Sequence, residues 1–403
     1  MTNIATLIPV PLETQQQRLK QTSARKIPHQ LRDRDLHPSE LTRRRQEFAP
    51  PWSSAAAPLL AGRDLVPKKS RDRSRAGRSD SLRVAAGLGH VIGVDIGGTN
   101  LRIALSDTHG TVLGKWCTSI EKTSSPALVI EQIREGTRNL LEQAFVSRRS
   151  LLAVAAGAPG VTDGDAGVVV ATSYLKGWRD VPLRSMLESA LRIPAAVEND
   201  VRLAAIGENW TGAARGIRNF VFLAIGTGIA AGIFANGKLI HGTDWTAGEI
   251  GYMHVPGTPE QVAKQGEPGS LESIIGGEGI RQQWLRCCDS TEVPQARDLT
   301  ATEIFERARA GDALAETVLK RSAQVLAYAV YNISLVLNCA LFVLGGGVGL
   351  SAPLLDATRH VLEQYNAPAR SKLITSNLGQ DAQLIGAIRL ALNKAESRIG
   401  LKT

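Results

Sequence analysis

Residues 91–107 read VIGVDIGGTNLRIALSD, and their reading sets the fold. VIGVDIGG is a short apolar run that breaks at Gly97 and Gly98. NLRIALSD follows with near-alternation of apolar and polar residues. The turn residues DTHG come next, then TVLGKWCTSI at 111–120. This pattern predicts three successive strands joined by tight turns. In the first turn, Gly97 and Gly98 let backbone N–H groups approach phosphate oxygens, and Thr99 with Asn100 adds polar side chains. Asp95, at the strand end, can hold a hydrated Mg²⁺. No GK[ST] follows, and a strand rather than a helix comes next, so neither a Walker loop nor a dinucleotide fingerprint is present.

Ser125-Pro126 reads as a helix cap and first helical residue, with apolar positions at Leu128, Ile130, Ile133 and Leu140. LLAVAAGAPG returns to a buried strand. From residue 220, FVFLAIGTG–IAAGIFANGKLI repeats the strand–glycine turn–strand unit. Thr300 with Glu303 forms a capping box, and a long helix is expected over about 312–337. ALFVLGGG is a strand running into glycines, and an amphipathic helix follows. One unit, strands around a glycine turn and then helices, thus occurs twice. The expected fold class is α/β, with two similar domains around a cleft. Their ranges are 91–200 and 201–380, with helix 381–395 packing back on the first.

The second turn, Gly226-Thr227-Gly228, could grip the far end of a triphosphate held by the first. After the later strand, Gly346 and Gly347 offer flat backbone that could pass beside an adenine. The pair Asn199-Asp200 ends an apolar segment (IPAAVEND) and precedes a helix. Helix capping explains such a pair routinely. The alternative makes Asp200 a general base, with Asn199 fixing a neighbouring hydroxyl. Phosphoryl transfer needs little covalent chemistry from protein, so one positioned carboxylate beside two phosphate grips suffices. Glu249 in AGEIG and Glu272 in SLE are carboxylates suited to binding sugar hydroxyls.

The net charge of +9 belongs to one end of the chain. Residues 1–90 hold 17 Lys/Arg against 8 Asp/Glu and contain eight prolines. The other 313 residues carry 30 charges of each sign. A disordered basic extension is expected over 1–90. Nucleic acid is not an expected partner, because the first glycine is Gly62 and no helix-turn-helix pattern stands out. No stretch of about 18 apolar residues suggests a membrane span. Cys117, Cys287, Cys288 and Cys339 show neither a disulfide framework nor metal spacing, so a reducing cytoplasm is expected.

Taken together, VIGVDIGGTNLRIALSD, GAPGVTDGD, LKGWRDVPL, VENDVRLAAIGE, AIGTGIAAGI, AGEIGYMHV, SLESIIGG and FVLGGGVG resemble the ROK family (repressors, open reading frames, kinases). The resemblance covers about 91–395. It implies the actin-like ATPase (ribonuclease H-like) fold, ATP with Mg²⁺, and Asp200 as catalytic base. It also implies a sugar side made of Asn199, Glu249, Glu272, Tyr252 and Gly160. Glucokinases dominate the family's enzymes, which makes glucose to glucose 6-phosphate the first expectation for the reaction. The expected partners are a hexose, ATP and a second copy of the chain in a dimer. A sugar-responsive regulator and a catalytically silent sensor are the competing classes.

One segment departs from that pattern. The family commonly has GEIGH followed by CxCGxxGCLE, whose His and three Cys hold a structural zinc. Here Tyr252 stands for the His, and Ala263, Gln265 and Ser270 stand for the cysteines, while Gly266, Gly269, Leu271 and Glu272 keep the register. With all four ligands replaced, no zinc is expected, and His254 nearby reads as a hydrogen-bonding residue. Metal analysis of tag-free protein should therefore give well below one zinc per chain, and EDTA should leave Tm unchanged. One tightly held equivalent would overturn the alignment of 263–272.

Overall fold

The computed structural model describes residues 89–260, 267–290, 296–365 and 371–399. The expected extension over 1–90 lies outside them except for its last two residues. The opening motif forms β1 (His90–Ile96), β2 (Asn100–Asp107) and β3 (Val112–Ser119), an antiparallel meander whose first strand is buried through Ile96. Helix α1 (Pro126–Gln143) starts where Ser125 accepts the Leu128 N–H and proline takes the first helical position. Its core face is Val129, Ile130, Ile133, Leu140 and Leu141. Leu128, expected on that face, is 50% exposed. Two positions before Ile130 on a 3.6-residue period lies about 200° round the helix.

Strand β4 (Leu151–Ala158) runs parallel to β1. A small sheet of β5 (Val161–Asp163), β6 (Val168–Ala171) and β7 (Arg179–Val181) follows, then α2 (Leu183–Leu191). Strand β8 (Ala195–Asn199) closes the first large sheet and passes without a loop into α3 (Asp200–Trp210).

The second half repeats the plan. Strands β9 (Phe220–Ile225), β10 (Ile229–Ala235) and β11 (Lys238–Leu239) form the meander. Helices α4 (Glu272–Ile275), α5 (Gly277–Asp289), α6 (Ala301–Arg309) and α7 (Ala313–Leu337) follow. The Thr300–Glu303 capping box is present at α6. Asp312 caps α7 through the N–H groups of Leu314 and Ala315. Strand β12 (Leu341–Gly345), α8 (Gly346–Gly349), α9 (Ala352–Glu363), β13 (Lys372–Thr375) and α10 (Ala382–Ile399) complete the chain.

The sheet orders are β3-β2-β1-β4-β8 and β11-β10-β9-β12-β13. In both, three antiparallel strands are followed by two parallel additions. This doubled ribonuclease H-like sheet is the actin-like ATPase fold. Among the described residues, no helix is long and apolar enough to cross a membrane.

Helix α10 covers the first sheet with Leu384, Ile388 and Leu392, against Val91, Ala153 and Ala155. It also crosses α3 at very short range. A Cβ on Gly386 would lie 1.8 Å from the Leu203 carbonyl oxygen, and one on Gly207 would lie 2.5 Å from that of Ala382. The other side of α3, Val201, Ala204 and Ala205, joins Phe220, Phe222 and Leu341 of the second sheet. There a Cβ on Gly232 would lie 2.6 Å from the Ala205 Cβ. Helix α3 is thus gripped from both halves through small residues. Gly386→Ala should lower unfolding free energy by about 1–3 kcal/mol, the range for forcing an extra methyl into a packed core. Denaturant titration checks it, and a midpoint unchanged from wild type would show that the crossing relaxes freely.

Candidate active site

The first glycine turn closes when the Gly97 N–H donates to the Asn100 carbonyl (2.9 Å). Thr99 and Asn100 are exposed, with Asn100 Nδ2 donating to Thr99 Oγ1 (3.2 Å). Asp95 is buried beside them. Directly opposite it on β2 is Arg102, whose Nε and Nη2 both donate to Asp95 Oδ2, at 2.8 and 2.5 Å. Burial pushes the Asp95 carboxyl up, and the guanidinium pulls the other way. Arg102 also donates to the Gln380 carbonyl, tying the first hairpin to the segment that enters α10.

In the second turn the Gly226 N–H donates to the Gly228 carbonyl (2.9 Å), and the Gly226 carbonyl accepts the Gly277 N–H (2.8 Å). Thr227 is exposed. The third cluster combines tight packing with open backbone. Gly346 has φ +78°, and a Cβ there would meet the Ile225 carbonyl at 2.4 Å, whereas nothing lies within 4 Å of a Cβ on Gly347.

Asn199 and Asp200 stand at the β8–α3 junction. Asn199 does cap α3, its Oδ1 accepting the Arg202 N–H (3.0 Å). Its Nδ2 donates to the Gly160 carbonyl (2.9 Å). Gly160 has φ +90°, where a Cβ would lie 2.3 Å from the Ala171 carbonyl oxygen. Asp200 is not the cap but the first helical residue, its Oδ1 accepting the N–H of Val201 (2.9 Å). Its carboxyl is pushed up to about 7, chiefly by burial and then by the nearby Asp95 charge. Glu249 adds to the rise, and the Val201 N–H opposes it.

Glu249 follows Gly248 (φ +97°), whose carbonyl accepts the Ala231 N–H of β10 at 2.8 Å. A Cβ on Gly248 would lie 1.9 Å from the Ala231 carbonyl oxygen, so glycine is required before this glutamate. Glu272 opens α4, and its Oε2 accepts the Ile229 N–H (3.4 Å) just beyond the second turn. Burial raises both carboxyls. Asp95, Asp200, Glu249 and Glu272 therefore come together from both halves. Tyr252 is 62% exposed. The phenol packed among the carboxylates is instead Tyr174, pushed up to about 12 by burial and then by Glu272, Asp200 and Glu249.

Behind Asn199 lies a network that the sequence reading missed. Arg202 is 2% exposed, and its Nη1 donates to Glu198 Oε1 (2.9 Å). Its Nη2 donates to the Trp245 carbonyl. The other Glu198 oxygen meets His241 Nε2 at 2.8 Å, and Glu198 Oε1 also accepts the Asn199 N–H (2.8 Å). This network ties β8 and α3 to the 241–245 stretch that leads into Glu249. Its signal in the sequence was the acid–base pair four residues apart across a strand–helix boundary. Arg102 had a signal too, since a tight Gly98-Thr99 turn pairs Ile96 with Leu101 and so brings Arg102 opposite Asp95. Tyr174 had none, lying in an aperiodic loop.

In the altered zinc segment, His254 Nε2 lies 3.2 Å from Ser270 Oγ and its Nδ1 lies 3.1 Å from the Pro259 carbonyl. Ala263 and Gln265 lie outside the described residues. Among those described, no three His, Cys, Asp or Glu side chains form a metal-holding group.

Known proteins resemble this chain in sequence and fold. The chain is 34% identical over 306 residues to a glucokinase of Halalkalibacterium halodurans, spanning 73% of this chain and 92% of that one. It is 23% identical over 345 residues to a xylose repressor of Caldicellulosiruptor bescii, spanning 81% and 84%. A ROK family glucokinase from Streptomyces griseus, solved in complex with glucose and AMPPNP, matches with a TM-score of 0.65 at 25% identity. That match covers 76% of this chain and 100% of that one. The ROK family model itself matches residues 91–394, and the chain belongs to the ROK family.

Proposed function

We propose that this protein is an ATP-dependent sugar kinase that phosphorylates a hexose hydroxyl, with glucose to glucose 6-phosphate as its reaction. The observation that carries the reading is the position of Asp200. It begins α3 where the two halves meet, beside Asp95 and Glu249, and is held near neutrality by its surroundings. A carboxylate with that affinity accepts a proton from a hydroxyl at the point of attack and is ionised often enough near pH 7 to do so.

On the sugar side, Glu249 and Glu272 accept hydrogen bonds from hydroxyls. Asn199 retains one amide N–H beyond its bond to Gly160, and Tyr252 stands at the exposed rim. The Gly160 turn supports Asn199 through its carbonyl. On the nucleotide side, the Gly97–Asn100 and Gly226–Gly228 turns supply backbone N–H groups and threonine hydroxyls to the phosphates, and Gly346–Gly347 passes the base. Mg²⁺ neutralises phosphate charge when bound, and Asp95 would hold it through water. A single carboxylate with substrate oxygens suits Mg²⁺, which keeps several waters. Arg102 holds Asp95 in place by one oxygen. ATP as donor goes with a cytoplasmic setting, and the active form is proposed to be a dimer.

The relationship to the xylose repressor favours one competing function, a sugar-responsive regulator. A panel of hexoses with Mg-ATP, read as ADP release and sugar phosphate, separates the two. Turnover supports the kinase, whereas no turnover together with sequence-specific DNA binding supports the regulator.

Asp200→Asn keeps size and most hydrogen bonding but removes the proton acceptor. Its kcat should fall by about 10²–10⁴-fold with sugar and ATP affinities little changed. Near-normal turnover in a folded variant would place the base elsewhere.

Wild-type kcat/KM should rise with pH to a plateau above about 7, and this limb should vanish in the variant. The same group affects stability. Its folded pKa lies above the ordinary 3.8, so the folded state holds a proton that the unfolded chain has released between those values. The Asp200 contribution is therefore fully present below about 4 and lost as pH rises through about 7. Asp200→Asn should melt higher than wild type at pH 8, with the gap closing toward pH 4. Equal Tm values across that range would show that Asp200 is not strained.

A further inference from the structure

Tyr174 lies in a stretch whose backbone is tightly anchored. Its N–H donates to Thr172 Oγ1 (3.1 Å), and the next residue, Leu175, is fully buried. The Lys176 N–H donates to the Lys122 carbonyl (2.6 Å). Trp178 is 2% exposed, and its indole N–H donates to the Ser124 carbonyl (3.0 Å). The backbone is held on both sides, which leaves the side-chain torsions as the freedom of this residue.

That side chain crosses from one phosphate turn to the other. A Cβ on Gly98 would lie 3.5 Å from the Tyr174 Cβ and 3.6 Å from its Cδ1. A Cβ on Gly228 would lie 2.9 Å from the phenol oxygen and 2.2 Å from Glu272 Oε2. One end of Tyr174 therefore rests on the first turn, and the other reaches the second turn beside a sugar-side carboxylate. Phosphoryl transfer brings the attacking oxygen and phosphorus to about 3–3.5 Å with nothing between them. On the kinase reading, a ring spanning the two turns lies between the groups assigned to the phosphates and those assigned to the sugar, and its side-chain torsions give it a way to swing aside.

Resting on the sugar-kinase reading above, we infer that Tyr174 is a substrate-contacting partition between the carboxylate pocket and the phosphate turns. Its ring keeps water from the bound phosphates until a sugar displaces it, and its O–H then donates to the sugar side. The phenol stays protonated well past neutral pH and so remains a donor. Water differs from a sugar hydroxyl only in size and contacts. A kinase therefore needs a device that admits one attacking oxygen and excludes the other.

The test compares full-length wild type with Tyr174→Phe, Tyr174→Leu and Tyr174→Ala, using Mg-ATP with and without glucose. Without sugar, ATP hydrolysis should rise about tenfold or more in the Ala and Leu variants, which no longer span the two turns. Tyr174→Phe keeps the ring, so its hydrolysis should stay at the wild-type level. Its sugar KM should rise about two- to tenfold for one lost hydrogen bond. Melting curves identify any variant that does not fold, and Leu carries the same expectation should Ala fail. Wild-type hydrolysis and KM in folded Ala and Leu variants would overturn the inference and leave the kinase reading standing. So would Phe hydrolysis as high as that of Ala, since the ring would then not be the barrier. A wild type inactive on every hexose would sink both.

Discussion

Helices α3 and α10 approach so closely that no side chain fits between their backbones at Gly386 and Gly207, and the site depends on that crossing. Helix α10 belongs by packing to the first sheet, while the far side of α3 packs on the second. A pair of helices in backbone contact has little freedom to slide, because each carbonyl meets a groove left by a missing Cβ. The first residue of α3 is Asp200, and β8 enters it without a loop. The proposed base is consequently positioned by a helix whose backbone meets that of its neighbour directly. Gly157 of β4 adds to this, since a Cβ there would press Leu203 at 2.6 Å.

Bringing four carboxylates into one enclosed region opposes folding, and the compensation is local. Arg102 answers Asp95 from the adjacent strand, and Arg202 lowers the proton affinity of Glu249 from behind. For Asp200 the opposition comes only from backbone N–H groups, and its carboxyl is pushed up to about 7. The cationic neighbours thus favour the ionised forms of Asp95 and Glu249 against burial, a help that Asp200 does not receive. The Glu198–Arg202–His241 network stiffens the same region by joining the strand–helix junction to the stretch leading into Glu249.

The zinc segment shows how a family feature can change while the register around it holds. Ser270 stands where a cysteine is common, and its hydroxyl lies within hydrogen-bonding distance of His254. Leu271 is fully buried and Glu272 begins a helix one residue later. The carboxylate is thus placed by core packing of its neighbour, a job that does not require a metal.

Local chemistry in the chain was enough to determine the repeating plan. The apolar runs at 91–96 and 220–225, the glycine turns after them, the Thr300–Glu303 box and the Ser125-Pro126 start all act through near neighbours. Each appears where the pattern put it. The glycine turns and VEND were legible for the same reason, since each is a contiguous motif with its own backbone requirement. Leu128 was misassigned because an apolar residue two positions before Ile130 is turned about 200° away from the core face by the helical period. Tertiary structure alone decided which distant groups meet: Arg202 with the Trp245 carbonyl, His241 with Glu198, and Tyr174 across two turns 130 residues apart (Gly98 and Gly228). Spacing along the chain carries no record of such contacts. They arise where the two sheets are clamped by α3 and α10, and the side chains brought together there shift one another's proton affinities.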